Sequence, residues 1–223
     1  MTLTIHHLQV SQSDRLVWLC EELSIPYTLV LHQRSPIFSP PSLYKLHPLG
    51  AAPIIQDGPI TLAESAACAE YIIHKHGDGR LALPPSDPEY ATYLYWFAFA
   101  NGTLQPGVSR AMSVMGSGDT GSDNYRRVKG RLDGYLKHLD ERLGGNEWLV
   151  GERFTAADVM TVFSVTTMRT FMPFSLAGYD GILAWLKRCS EREGFKRAKA
   201  KGDPELPLMI DADPPRRFTG LKL

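Results

Sequence analysis

The stretch Ser11-Gln12-Ser13-Asp14-Arg15 sets two hydroxyls and a guanidinium within five residues. It lies between a short apolar strand pattern, Leu3 to Leu8, and a helical apolar pattern that begins at Leu16. Hydroxyls at such a junction can cap the helix, or they can face an anion held at the positive end of the helix dipole. Glu64-Ser65 is a second junction of this kind, ahead of the helical pattern AACAEYIIHKHG. Ser65 would serve there as an N-cap, and with the amides of the first turn it could also hold a carboxylate. The histidines form no metal-binding pattern: His6 and His7 alternate across a strand, and His74 and His76 point differently from one helix. No metal site is expected. Cys20, Cys68 and Cys189 are far apart and make no CxxC, so packed, reduced thiols of a cytoplasmic protein are expected.

The elements that carry these residues can be read from hydrophobic spacing. Leu16, Leu19, Cys20 and Leu23 recur at helical intervals, with Glu21 and Glu22 on the polar side. Tyr27 to His32 reads as a second strand, and two strands joined by a helix predict a parallel βαβ unit. A proline-rich stretch, Ser35 to Pro48, leaves room for one short helix around Ser42 to Leu46. Two apolar runs flanking Asp57-Gly58 predict a hairpin, followed by the helix that Gly77 ends. The order β-α-β-β-β-α over residues 1–77 is that of a thioredoxin-like domain. A turn-rich linker follows at 78–88, then helical patterns alone over 89–200, then a proline-rich tail over 201–223 that wraps the surface or stays mobile. Within the helical part, Asn101-Gly102 and Pro106 predict a bent or broken helix. Thr155 and Asp158 have the spacing of a capping box, with Phe154 and Val159 placed as its hydrophobic staple. Asp158 therefore reads as a folding signal and not as a catalytic acid.

Bulk composition narrows the partners. The 223 residues carry 24 Lys+Arg against 24 Asp+Glu. A neutral chain does not fit nucleic acid or an anionic membrane as the main partner, since both call for clustered positive charge. No apolar run reaches the ~18 residues of a membrane span, and the first ten residues lack the apolar core of a signal peptide.

Three motifs in order give the chain a family resemblance: SQSDRLVWLCEEL, then HPLGAAPIIQDGPITLAESAACAEYI, then GERFTAADVM. Together they resemble the cytosolic glutathione transferases, in particular the serine-type and fungal or bacterial members, over roughly Leu3 to Ser190. The resemblance implies glutathione as cosubstrate, an apolar electrophile as second substrate and a homodimer. It implies a cis bond between Ala52 and Pro53, with the Ala52 backbone pairing with the cysteinyl part of glutathione. Ser65 and the helix amides would hold the γ-glutamyl carboxylate, and Glu64 its ammonium group. For the glycyl carboxylate, Arg34, Lys45 and His47 lie in the fitting loop, with Lys45 preferred. Many relatives carry a lysine or histidine just before the cis-proline segment, where this chain has Gly50-Ala51.

Transfer requires the thiolate, and a free thiol of pKa about 8.5 is only a few per cent ionised near neutrality. Lowering that pKa by about two units takes roughly 2.7 kcal/mol. One charge-assisted hydrogen bond supplies about 1.5–3 kcal/mol, and a helix N-terminus about 0.3–1 more. One hydroxyl aimed at the sulfur is therefore enough. Ser11 best fits the active serine of serine-type relatives, with Arg15 as the arginine four residues on. Ser13 is the alternative, and otherwise the helix cap. Trp96, Met112 and Met115 are expected to line the electrophile pocket, between the domains, where methionine adapts to varied apolar shapes. The same cosubstrate would serve isomerase, lyase or reductase chemistry, and related domains also occur as non-catalytic interaction modules.

Overall fold

The computed structural model describes residues 2–116, 118 and 120–219. The chain divides into two compact units between Ala82 and Leu83. The first contains β1 (Leu3–Leu8), α1 (Asp14–Leu23), β2 (Tyr27–His32), α2 (Pro41–Tyr44), β3 (Ile54–Asp57), β4 (Ile60–Ala63) and α3 (Ser65–His76). Its four strands lie in the order β2-β1-β3-β4, with β1 and β2 parallel and the other two pairs antiparallel. This is the mixed sheet of a thioredoxin-like fold. The β3–β4 turn is two residues long, and Gly58 supplies the positive φ (60°) that such a hairpin needs at its first position.

Strand alternation decides which side chains of β1 meet which layer. Leu3, Ile5 and His7 share one face, and His6 and Leu8 the other. Leu8 packs with Leu43, Ala52 and Ile54 in a buried cluster beside α2. Leu16, Leu19 and Leu23 of α1 and Ile72 and Ile73 of α3 are fully buried with Leu3 and Ile5.

The second unit holds α4 (Tyr90–Phe99), α5 (Gln105–Met115), α6 (Asp123–Gly144), α7 (Ala156–Val165) and α8 (Asp180–Glu191). The expected break lies at Ala100–Leu104, where the chain makes a π-helical turn between α4 and α5. The capping box of α7 is formed: Thr155 N–H donates to Asp158 Oδ2 (3.0 Å), and the Thr155 hydroxyl accepts from Ala157 N–H (3.3 Å). Asp158 is fully buried, and its other oxygen accepts from Leu149 N–H and the Trp185 indole, each at 3.0 Å. Phe154 sets its ring edge-on to Trp148 at 5.0 Å.

Two expectations are corrected by the C-terminal quarter. Residues 191–207 belong with the first unit, and they contain a helix, α9 (Glu193–Gly202), that packs on α1. Glu21 and Glu22 therefore do not face solvent. Glu21 is 7% exposed and meets Arg197, Lys201 and the Tyr27 hydroxyl, while Glu22 pairs with Arg192 and the Trp18 indole. The apolar part of the α1–α9 contact includes Phe195, edge-on to Trp18 at 5.1 Å. Residues 208–217 join the second unit, where the buried Arg169 donates to the carbonyls of Phe174, Asp211 and Asp213.

Candidate functional site

The turn from β1 to α1 is shaped by an unusual residue, Val10, with φ of 54°. A β-branched side chain disfavours this region, so the surroundings must impose it. Asp203, just past the end of α9, accepts Val10 N–H (3.0 Å), and Arg34 donates to the carbonyls of Val10 (2.7 Å) and Gln9 (3.1 Å). Arg34 also reaches Ile37 O. It thus pins the turn from behind. Burial lowers the Arg34 pKa, and the Asp203 charge opposes that shift.

The pinned turn presents Ser11 and Ser13 side by side, their hydroxyl oxygens 2.7 Å apart. Ser11 Oγ donates to Leu8 O (2.7 Å) and accepts from Ser13 N–H (3.2 Å). Ser13 Oγ accepts from Leu8 N–H (3.0 Å) and lies 2.9 Å from His7 Nδ1. Ser13 is fully buried, whereas Ser11 keeps 6% exposure. Ser13 stands at the N-cap position with helical φ and ψ, and its side chain makes no cap bond. It is therefore not the helix cap that the sequence suggested. Its hydroxyl turns back to β1 because Leu8 and His7 offer partners there. Ser11 is the outer hydroxyl of the pair.

Between the two serines, Gln12 ties the turn to the second junction. Its amide donates to Ala52 O (3.1 Å), and its oxygen accepts from Arg15 Nη1 (3.1 Å) and from Ser65 Oγ (3.4 Å). Arg15 Nη1 also donates to Ser65 Oγ (3.2 Å). Arg15, Ser65 and Ala52 are thus brought together by a residue that the sequence reading passed over. Burial lowers the Arg15 pKa to about 10, against the effect of Asp14, so the guanidinium stays charged at neutral pH. The Ala52–Pro53 bond is cis. Gly50 adopts φ of 56°, and a Cβ there would come within 2.5 Å of the Tyr44 ring, which explains glycine at that place.

At the second junction Glu64, not Ser65, occupies the N-cap position, so the capping reading of Ser65 is corrected: it is the first residue of α3 and its hydroxyl serves Arg15 and Gln12. Glu64 is exposed with φ of 71°. A non-glycine residue there costs on the order of 1–3 kcal/mol, a strain that tends to gather at binding sites. It leaves the carboxylate at the mouth of the Ser65 helix terminus. Lys45 is exposed at the end of α2, and the His47 ring accepts from Leu49 N–H.

Trp96 is buried in the second unit. Its ring is 3% exposed, stacks on His138 at 5.1 Å and borders a groove of about 660 Å³ with Tyr95, Glu141 and Arg142. Met112 is half-buried on α5. The aromatic stripe of α4 thus packs within its own unit.

Cys20, Cys68 and Cys189 are buried thiols. Burial pushes Cys20 far above the ordinary thiol range and Cys68 up to about 12, and the charges of Glu21 and Glu64 add to the respective shifts, so neither is a nucleophile at neutral pH. Among the described residues, no three His, Cys, Asp or Glu side chains are grouped to hold a metal ion. No helix among them is long and apolar enough to cross a membrane.

Known proteins match both units. Residues 11–75 fit the glutathione S-transferase N-terminal domain and residues 103–193 the C-terminal domain. Glutathione S-transferase 3 of Schizosaccharomyces pombe is 31% identical, over 95% of this chain and 93% of its own. The crystal structure of a glutathione S-transferase from Actinobacillus pleuropneumoniae superposes with a TM-score of 0.82 at 27% identity, covering 94% of this chain and 99% of its own. A glutathione transferase from Phanerochaete chrysosporium, solved with oxidized glutathione, shares the fold at a TM-score of 0.70 and 22% identity, over 88% of this chain and 93% of its own. With sequence, domain pair and fold in agreement, the chain belongs to the glutathione S-transferase family.

Proposed function

We propose that the protein is a glutathione S-transferase that adds the glutathione sulfur to an apolar electrophile, with Ser11 as the hydroxyl that stabilises the thiolate. The observation that carries this reading is the convergence of Ala52, Arg15 and Ser65 on the side chain of Gln12, the residue next to Ser11. Glutathione would lie with its γ-glutamyl carboxylate at the N-terminus of α3, on Ser65 and the first-turn amides. Glu64 would take the ammonium group, and Arg15 would hold the Ser65 hydroxyl in place. Ala52 would pair with the cysteinyl backbone, which aims the sulfur at the β1–α1 turn. Lys45 is proposed for the glycyl carboxylate.

The residue roles follow from charge. Ser11 is the less buried of the two serines, and its proton would turn from Leu8 O to the sulfur when glutathione binds. The positive end of α1 adds to that stabilisation, while Asp14 opposes it. Met112 and Met115 are proposed to meet the electrophile. A homodimer and a cytoplasmic location are part of the same proposal, supported by exposed Leu94 and Tyr95 on α4 and by the buried thiols.

The test is conjugation of glutathione to an activated aryl halide, followed with wild type and with Ser11→Ala and Ser65→Ala. The Ser11 variant is expected to lower kcat with KM for glutathione little changed, and the Ser65 variant to raise that KM. Wild type that binds glutathione but does not accelerate conjugation would overturn the transfer reading.

A further inference from the structure

Behind the two serines stands a chain of polar groups that thiolate stabilisation alone does not require. Asp203 Oδ2 lies 3.2 Å from His7 Nε2, His7 Nδ1 lies 2.9 Å from Ser13 Oγ, and Ser13 Oγ lies 2.7 Å from Ser11 Oγ. His7 and Ser13 have no exposed surface, and Asp203 has 5%. The close approach depends on a glycine: a Cβ on Gly202 would stand 3.1 Å from His7 Nε2. These heavy atoms support two complete proton arrangements. With neutral His7, Nε2–H donates to the carboxylate and Nδ1 accepts the Ser13 proton. With His7 protonated, Nδ1–H donates to Ser13, Ser13 donates to Ser11, and the Ser11 proton stays on Leu8 O or turns outward to a bound sulfur.

We propose that His7, held by Asp203, takes up the proton of the bound glutathione thiol through Ser13 and Ser11. This rests on the reading of Ser11 given above and extends it from stabilising the thiolate to forming it. The S–H bond breaks and its proton goes to Ser11 Oγ. The Ser11 proton passes to Ser13 Oγ, and the Ser13 proton to His7 Nδ1. Both hydroxyls end with one proton each, the imidazole gains one, and sulfur keeps the electron pair. The imidazolium then faces a carboxylate, and the proton that arrived from sulfur remains on Ser11 to bond the thiolate. After product leaves, the proton returns along the chain to the solvent at the Ser11 end. His7 and Asp203 do not touch the substrate, so they act as positioning residues with a proton to hold.

His7 lies among charged and titratable neighbours. Asp203 is its nearest charged group. Burial pushes the Asp203 carboxyl up, but the bond and charge of His7, Val10 N–H and the Lys199 charge outweigh it and hold it below the ordinary carboxylate range. Arg34 also faces Asp203. From β2, His32 faces His7, and burial together with His6 and His7 keeps it below the ordinary histidine range, which disfavours a second positive ring there.

The experiment is proton counting. Glutathione is added to the full-length protein at neutral pH in weakly buffered solution with a pH indicator, while thiolate is followed by its ultraviolet absorbance. Wild type is expected to form thiolate without releasing an equivalent proton to the medium. Asp203→Asn and Ser13→Ala are expected to release one proton per thiolate and to raise the bound thiol pKa by about one unit, a tenfold loss of thiolate below that pKa. The two variants interrupt the chain at different bonds, so one that fails to fold by circular dichroism leaves the other decisive. A full proton released per thiolate by wild type would overturn the relay while leaving the Ser11 reading intact, as would variants with wild-type balance and thiol pKa. Glutathione bound by wild type with no thiolate formed would overturn both.

Discussion

Each unit of the protein is organised around one buried aspartate, and the two differ in what their partners can do. Asp158 accepts four hydrogen bonds, from Leu149 N–H, Thr155 N–H, the Thr155 hydroxyl and the Trp185 indole. Three of those donors are N–H groups whose protons do not move, so this cluster can hold a helix start and do little else. Asp203 accepts Val10 N–H in the same structural manner, but its other oxygen faces an imidazole followed by two hydroxyls. Groups that exchange donor and acceptor roles give that cluster a direction and an outlet. A buried carboxylate is therefore no sign of chemistry by itself; the mobility of its partners' protons separates a clasp from a relay.

The contrast is sharpest on removal of each anchor. Asp158→Ala leaves buried N–H donors without an acceptor and is expected to cost at least about 3 kcal/mol, read from urea unfolding. Folded Asp158→Ala protein should still show the wild-type glutathione thiol pKa. Ser11→Ala should do the reverse. Loss of a charge-assisted bond of about 1.5–3 kcal/mol predicts a fall in kcat/KM of about 10- to 150-fold, with a smaller loss of stability, about 1 kcal/mol, for the bonds to Ser13 N–H and Leu8 O.

Acid separates the two aspartates by sign. Burial raises the Asp158 pKa to about 6 against the pull of its donors. The native state then binds more protons than the unfolded chain between about pH 4 and 6, so this group lowers stability as pH rises through that window. Asp203 lies below the ordinary carboxylate range when folded. Its contribution is present above about pH 4 and is lost as pH falls through the folded value. Stability against pH should therefore show an acid-side loss that Asp203→Asn flattens, while the slope between about pH 4 and 6 persists in the variant. The smallest effect is expected from Lys45→Ala, an exposed charge, with a rise of about two- to fivefold in KM for glutathione that salt diminishes.

The same contrast explains what could be read from sequence. Thr155 and Asp158 are three residues apart, so local helix chemistry exposes their partnership before any fold is known. The strand and helix order of the first unit and the break after Phe99 were legible for the same reason, since periodicity and turn residues act locally. His7 and Asp203 are 196 residues apart, and nothing in KGDPEL distinguishes that aspartate from a turn residue. The helix that carries it there, α9, is bound to α1 by ion pairs and by Phe195, and neither signal in the sequence points to Asp203. Gln12 was missed for a different reason. It stood in the quoted polar stretch, but only the approach of Ala52 and Ser65 shows that an amide, with both donor and acceptor, is what the position uses. Arg34 and Trp96 have partners inside their own units that sequence does not reveal, the carbonyls of Gln9, Val10 and Ile37 and the ring of His138.

The role of Ser11 rests most directly on the thiol pKa of bound glutathione, measured by ultraviolet titration of the thiolate in wild type and Ser11→Ala. A pKa about two units below the free value of about 8.5, with most of that shift lost in the variant, is the expected result. Glutathione bound with an unshifted thiol, or a shift that survives in Ser11→Ala, would contradict it.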